Sequence, residues 1–386
     1  DAAARRAERL DPDYRNYRQL EPDVATVLQG MLGLLFAAAL LLGVLSVIGL
    51  SQAGSVRKAM RAVPEGHTPA RYDGRAAELF KVYLQNVALT VATLGVYRFW
   101  ARVRMTRYRY QHTAFGGARF DYHATGREKL VGFLKGMLVL APSVAGLWLL
   151  HDALVPHYGD DTAFTVSMWS FLLLLFLLRP LIVVGSQRFN LSRTSWCNVR
   201  FRFAGRIGAA YGLYLRDLVL MVVTLGIYSF WHQCNVRRFK LKHTRLGDLE
   251  FDYRGDGSQL FGITLGGTLL CYVTAGIYAP WLIARLHRYH LEHTYVRGHR
   301  FRSRLTGGHV LSVGAPALLV SIVTLGLALP WALDRWYRLL TDTTSFPQPI
   351  DVDRLRALPD TQASPVLEGV GEAGEALSGL GDLFGG

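Results

Sequence analysis

TLGIYSFWHQCNVRRFKLKHTRLGDLEFDY, residues 224–253, is the stretch on which much of the chain is a set of variations. Arg188, Arg238, Arg288 and Arg338 stand 50 residues apart, and six residues beyond them come Thr194, Thr244, Thr294 and Thr344. Trp231, Trp281 and Trp331 precede their arginines by seven residues, and Thr224, Thr274 and Thr324 precede them by 14, each with a glycine two residues on. An earlier copy, Thr93, Gly95, Trp100, Arg107 and Thr113, keeps this internal spacing but lies 81 residues ahead of Arg188, so 31 residues are inserted between copies one and two. Several positions recurring at a fixed step mark a structural unit that packs on its own copies.

The chain has 386 residues, of which 51% are hydrophobic, and a formal charge of +14. So apolar and so basic a composition fits a membrane protein with arginine-rich flanks better than a soluble one. Runs 24–56, 218–236, 258–284 and 305–333 each hold 19 or more residues without Asp, Glu, Lys or Arg. A spanning helix needs about 20 such residues. Shorter runs at 82–97, 136–150 and 162–178 suffice if Lys81, Lys135 or Arg179 snorkels. The expectation is therefore an all-α multi-pass membrane protein of about seven membrane helices, built from five degenerate repeats. The basic residues flank the apolar runs, which points to anionic lipid headgroups as partners and away from nucleic acid. Cys197, Cys234 and Cys271 share no position in the repeat and read as isolated thiols.

Each copy reads as three parts: a kinked apolar helix up to the Thr-Leu-Gly, a basic amphipathic helix from the Tyr-x-x-Trp, and a small β-hairpin. Glycine suits the kink because it takes a left-handed conformation at little steric cost. Pro180, Pro280 and Pro330 share one position and favour a new helix start there. Gly116, Gly247 and Gly298 fit hairpin turns between alternating residues such as Phe120-Asp121-Tyr122 and Phe251-Asp252-Tyr253. Arg71-Tyr72-Asp73-Gly74 resembles the tail end of a repeat, as in Asp252-Tyr253-Arg254-Gly255.

Four regions follow: a cytoplasmic lead-in at 1–23, a first membrane helix at 24–51, a repeat-built membrane domain at 70–345 with an inserted helix at 130–151, and a tail at 346–386 that is acidic and flexible or weakly helical. The lead-in is arginine-rich and so is expected inside; the loop with Asp152, Asp160 and Asp161 has no Arg or Lys and is expected outside. If every segment crosses, copies one, two and four put their basic motif inside, and copies three and five put theirs outside. Re-entrant segments or inverted repeats would relieve that conflict.

At Asn86, Thr93-Leu94-Gly95, Tyr97, Trp100, Arg107-Tyr108, His112-Thr113 and Phe120-Asp121-Tyr122 the chain resembles the bacterial inner-membrane family DUF898, the YjgN family, over about residues 70–345. The resemblance implies a multi-pass inner-membrane location and no agreed activity. Copy two departs from the pattern, with Phe176 for the glycine and Leu181 for the tryptophan.

Charged groups inside a membrane are functional candidates. Arg216 and Asp217 are adjacent, and Asp217 holds the repeat position of Asn86. These three form the expected intramembrane polar point. Arg107, Arg238 and Arg288, with Trp100, Trp231 and Trp281, are candidates for lipid headgroup binding or plain anchoring at the interface. His112, His243 and His293 recur one residue before the threonine and fit caps of the second helix. His287, His290 and His293 at intervals of three fall short of a zinc motif, so neither metal nor cofactor is expected. Without a Ser-His-Asp order, phosphate loop or paired carboxylates, an enzyme has little support. A transport- or channel-like inner-membrane protein with anionic-lipid contacts is the leading expectation. The other is a non-catalytic scaffold or lipid-organising protein that binds a protein partner through its C-terminal tail.

Overall fold

The structure, a computed structural model, describes residues 68–346. The lead-in at 1–23, the helix expected at 24–51 and all of the tail beyond Phe346 lie outside the described residues.

The all-α expectation is overturned by a sheet that runs almost completely round the molecule. Its strands are β1 (Thr68–Tyr72), β2 (Thr113–Phe115), β3 (Ala118–Tyr122), β4 (Thr194–Trp196), β5 (Val199–Phe203), β6 (Thr244–Leu246), β7 (Leu249–Tyr253), β8 (Thr294–Val296), β9 (His299–Arg300), β10 (Arg302–Ser303) and β11 (Thr344–Phe346). All neighbouring pairs are antiparallel, and β1 pairs with both β2 and β11, so the start of the described chain is stitched to its end. β9 and β10 are one run interrupted at Phe301, and they pair with β8 and β11 respectively. Each longer strand gives its first two residues to its own hairpin and its last three to the next copy: Ala118 and Arg119 face β2, whereas Phe120, Asp121 and Tyr122 face β4. A two-residue hairpin cannot bury its inner face alone; five of them closed on each other can, and closure leaves little open edge. Phe115, Trp196, Leu246, Val296 and Phe346, each two residues after a repeat threonine, meet in the middle with Phe120, Phe201, Phe251 and Phe301, so the ring is filled with side chains.

Ten helices connect the strands among the described residues. They are α1 (Ala76–Ala92), α2 (Arg98–Gln111), α3 (Gly126–Tyr158), α4 (Asp160–Ser192), α5 (Ile207–Val223), α6 (Ser229–Lys242), α7 (Gly257–Val273), α8 (Ala279–Glu292), α9 (Gly307–Val323) and α10 (Leu329–Asp342). They form five hairpins. The strands on either side of each hairpin pair with one another, as β1 does with β2 across α1 and α2, so every hairpin leaves and re-enters the sheet at one place. The second helix of each hairpin packs on the first helix of the next, and α10 packs on α1.

The seven-helix count is corrected by the same geometry. Uncharged runs such as 218–236 bend back at the Thr-x-Gly and do not continue as one crossing helix. Limbs of 17 and 14 residues reach about 25 and 21 Å, short of a ~30 Å hydrocarbon core. Two described helices, α3 and α4, are long and apolar enough to cross, with 33 residues each. Of their most apolar windows, 12% and 17% is buried, unlike the core helix of a soluble protein. The helix expected at 130–151 lies within α3, and the 31-residue insertion lengthens both limbs of the second hairpin. Pro280 and Pro330 do stand in first turns, of α8 and α10, whereas Pro180 lies inside the continuous α4.

Candidate functional site: a basic axial cavity

Most recurring side chains act on their own backbone. Arg107 donates to the carbonyls of Tyr122 (3.1 Å) and Ala124 (2.9 Å), and Arg238 to those of Tyr253 (3.1 Å) and Gly255 (2.8 Å). Arg188 and Arg338 reach Gly205 O and Gly74 O in the same way. A planar guanidinium with a fixed fork of donors fits this clamp between a second helix and a strand exit. Arg288 is exposed on α8. Trp100, Trp231 and Trp281 lie against Gly126, Gly257 and Gly307, where a methyl group would overlap the indole. In copy two these positions hold Leu181 and Ile207, a smaller residue opposite a larger one. His112, His243 and His293 each place Nδ1 2.7–2.8 Å from the carbonyl four residues back, at the C-terminus of the second helix.

The departures from the repeat have a different placement. A cavity of about 640 Å³ lies between α4, α6 and α8, with Phe201 of β5 and Phe251 of β7 in its wall. Arg179, His232, Arg237, Lys240 and His290 line it, with Gln187, Gln233 and Tyr214; no Asp or Glu is among its lining residues. On α6, Gln233, Val236, Arg237 and Lys240 follow the i, i+3, i+4, i+7 pattern of one helix face. Lys240 and His290 sit in the last turns of α6 and α8, at the sheet end of limbs too short to cross a membrane. Burial pushes the Lys240 ammonium down from its usual range, and Arg237 and Arg179 add to that. Burial likewise brings His290 down to about 4, followed in effect by Arg237, His287 and His293. Desolvated cations without a lining carboxylate make a site that favours an anion.

Behind His232 of the lining, Asp217 on α5 is fully buried. Its Oδ1 accepts from Arg216 Nε (2.9 Å) and Nη2 (2.6 Å), its Oδ2 lies 2.9 Å from His232 Nδ1, and Asn235 Nδ2 adds a contact at 3.2 Å. With the carboxylate ionised, Nδ1 of His232 carries the proton and Nε2 is left to accept. Arg216 and Asp217 therefore belong together, but Asn86 does not join them. It lies in the first hairpin, buried, with Nδ2 3.5 Å from Ala101 O and no partner for Oδ1.

His232, Arg237, Lys240 and His290 are not evident from the repeat because a period draws attention to what recurs. A usable signal exists: Arg237 and Arg238 are adjacent, yet position 238 recurs as arginine and position 237 becomes Gln187, His287 and Tyr337. Among the described residues no group of three or more metal-ligating side chains is present. His290 Nδ1 lies 2.9 Å from the Tyr253 hydroxyl, and His287 Nε2 is buried without a hydrogen-bond partner.

Comparison with known proteins is consistent with a membrane location. The chain is 28% identical over 159 residues to the inner membrane protein YjgN of Salmonella typhimurium, covering 41% of this chain and 37% of that protein. It is 38% identical over 63 residues to the protein of the same name from Escherichia coli K12, 16% of each chain. These matches thus span well under two thirds of the relatives' length. No solved structure matches. The relatives' names, with the two long apolar helices, support a bacterial inner-membrane location and an integral membrane protein of unknown function. A family described as bacterial protein of unknown function, DUF898, matches residues 67–251, 214–262, 248–302 and 285–373. These matches cover more than half of the sequence, and the chain belongs to the DUF898 family.

Proposed function

We propose that this inner-membrane protein binds a small oxyanion in its axial cavity and passes it on in a transport-like cycle. One observation carries the reading: five basic side chains converge on a cavity with no carboxylate in its lining. Arg107, Arg188, Arg238 and Arg338 are used up on backbone carbonyls, whereas Arg237, whose position holds Thr106, Gln187, His287 and Tyr337 in the other copies, and Lys240, whose position holds Arg109 and His290 in two of them, line the cavity. A phosphate or sulfate provides the charge and the acceptor oxygens that guanidinium and ammonium groups pair with best. The aromatic filling of the sheet lies beside the cavity, which favours a gated site over an open pore. His232, held by Asp217, stands where it can take up a proton as an anion enters. The exposed arginines Arg71 and Arg302 of the sheet are the better candidates for contact with anionic headgroups, since Arg107 and Arg238 are engaged.

The test is uptake of labelled sulfate or phosphate by proteoliposomes holding the full chain. Uptake above that of protein-free vesicles, lost on Lys240→Gln, is expected. Uptake equal to protein-free vesicles for both anions would refute transport. If the purified protein retains a phospholipid that competes with phosphate, the same site serves a headgroup.

A further inference from the structure

We infer that the turns of the four short hairpins are buried among lipid acyl chains, in the bilayer that α3 and α4 cross, with the sheet on the cytoplasmic side. Two independent properties of the turns lead to this.

The first is how they satisfy their own backbone. In the first hairpin the amides of Thr93, Leu94, Gly95 and Val96 donate to Leu89, Val91, Thr90 and Thr93 carbonyls. Tyr97 N donates to Thr93 Oγ1 (2.9 Å), Thr93 Oγ1 donates to Leu89 O (2.7 Å), and Arg98 N donates to Gly95 O (3.2 Å). The same set recurs at Thr224, Thr274 and Thr324, where the hydroxyl takes the amide of Tyr228, Tyr278 or Ala328. A turn in water can pair its amides in this way or leave them to solvent; a turn in lipid has only the first option. In hydrocarbon each unpaired amide is costly, so irregular backbone persists there when its groups are paired within the protein.

The second is what the turns present. Leu94, Leu225 and Leu325 are 95%, 94% and 94% exposed, at φ near +48, where leucine is sterically disfavoured. Val91, Val223, Val273 and Val323 beside them are also mostly exposed. Four equivalent turns projecting bare apolar side chains in one direction form an apolar crown round the long hairpin. That hairpin continues past them through Trp148 and Trp169 to the acidic turn at Asp160 and Asp161. Of the charges nearest the turns, Arg216 is paired with Asp217, and Arg98 lies over the Phe99 ring, on a stem long enough to snorkel toward the sheet side. The basic sheet stays inside and the acidic turn outside, in line with the positive-inside rule. The topological conflict of alternating copies then disappears, since all five hairpins return to the side they left.

The experiment uses the full chain in proteoliposomes on a Cys271→Ser background, with Cys197 and Cys234 buried. Single cysteines replace Leu225, Leu325, Val223, Asp160 and Arg245. A membrane-impermeant maleimide should label Arg245→Cys from one side and Asp160→Cys from the other, and the remaining three from neither. A permeant fluorophore on Leu225→Cys or Leu325→Cys should be quenched by phosphatidylcholine brominated on its acyl chains. Val223→Cys lies in a helix without the left-handed backbone, so it reports even if the turn variants fail to fold. Labelling of the turns from the Asp160 side would mean that the hairpins cross. Labelling from the Arg245 side would put the turns in water. Absence of both labelling and quenching, with disulfide-linked dimers, would mean that a second copy covers the crown. Any of these overturns the inference.

Discussion

Hairpins α5–α6 and α7–α8 share limb lengths, turn geometry and placement in the sheet, and differ where their limbs cross. In α7–α8 the crossing is Gly267 filled by Leu282, so closely that a methyl group on the glycine would overlap the leucine. In α5–α6 the same pair of positions holds Asp217 and His232, a buried carboxylate with donors from three residues. Elsewhere the pair is Asn86 with Ala101 and Ala317 with Ala332. The architecture accepts any complementary pair at this point and does not demand charge. A fully buried carboxylate costs several kcal/mol in desolvation and must be repaid by its partners. Its presence in one hairpin, beside the basic cavity, sets that hairpin apart from α7–α8.

The contrast can be broken most forcefully at Asp217. Asp217→Ala leaves Arg216 and His232 without their carboxylate and should lower unfolding stability by ~3–5 kcal/mol, read from denaturation of the detergent-purified protein. The double change Asp217→Gly with His232→Leu copies the α7–α8 crossing and should recover most of that loss, to within ~1.5 kcal/mol of the parent. A single substitution without cost would show that the two crossings do not differ energetically.

Next in size is the Arg238 clamp of α6, which the exposed Arg288 of α8 does not repeat. Arg238→Ala frees two strand-exit carbonyls and should cost about 2–3 kcal/mol; Arg238→Lys should rescue little because an ammonium lacks the fork. Equal stability of the lysine variant would assign the period to charge alone. Gly257→Ala pushes a methyl into the Trp231 indole and should cost about 1–3 kcal/mol, whereas Trp231→Leu with Gly257→Ile, the copy-two pair, should be tolerated better than either change alone.

A further effect is on pH. His290, brought down to about 4 by burial before the effects of Arg237, His287 and His293, is neutral in the fold and protonates near 6.5 when unfolded. Between those values the unfolded state binds more protons, so stability is full above pH 6.5 and is lost as pH falls toward 4. His290→Gln should flatten that part of the profile, and an unchanged slope would contradict the burial of this ring.

How much of this was legible depends on what each residue does. The clamps, caps and turn threonines are visible as a period because most copies use them for the same backbone task. The β-hairpins are legible in Phe120-Asp121-Tyr122 and its equivalents. Closure was half legible, in the repeat-like tail at Arg71-Tyr72-Asp73-Gly74. Its partner strand lies at Thr344–Phe346, and nothing local joins segments so far apart in sequence. The count of membrane helices failed because an uncharged run reports burial from water and not direction. Leu225 and Gly226 at positive φ reverse the chain inside such a run. The cavity stayed hidden because His232 and Arg237 break the period, and α4, α6 and α8 bring the lining together only once the copies are arranged round the sheet.

The most direct test of the account is anion binding by calorimetry at two pH values. The parent should bind sulfate or phosphate, and more tightly at pH 6 than at pH 8, because an entering anion raises the depressed proton affinities of Lys240 and His290. Arg237→Gln with Lys240→Gln should abolish the heat of binding, whereas removing the same two charges at Arg245 and Arg254, on the sheet, should leave it intact. Equal binding by both double variants, or by neither they nor the parent, would contradict the claim that the departures from the repeat form an anion site.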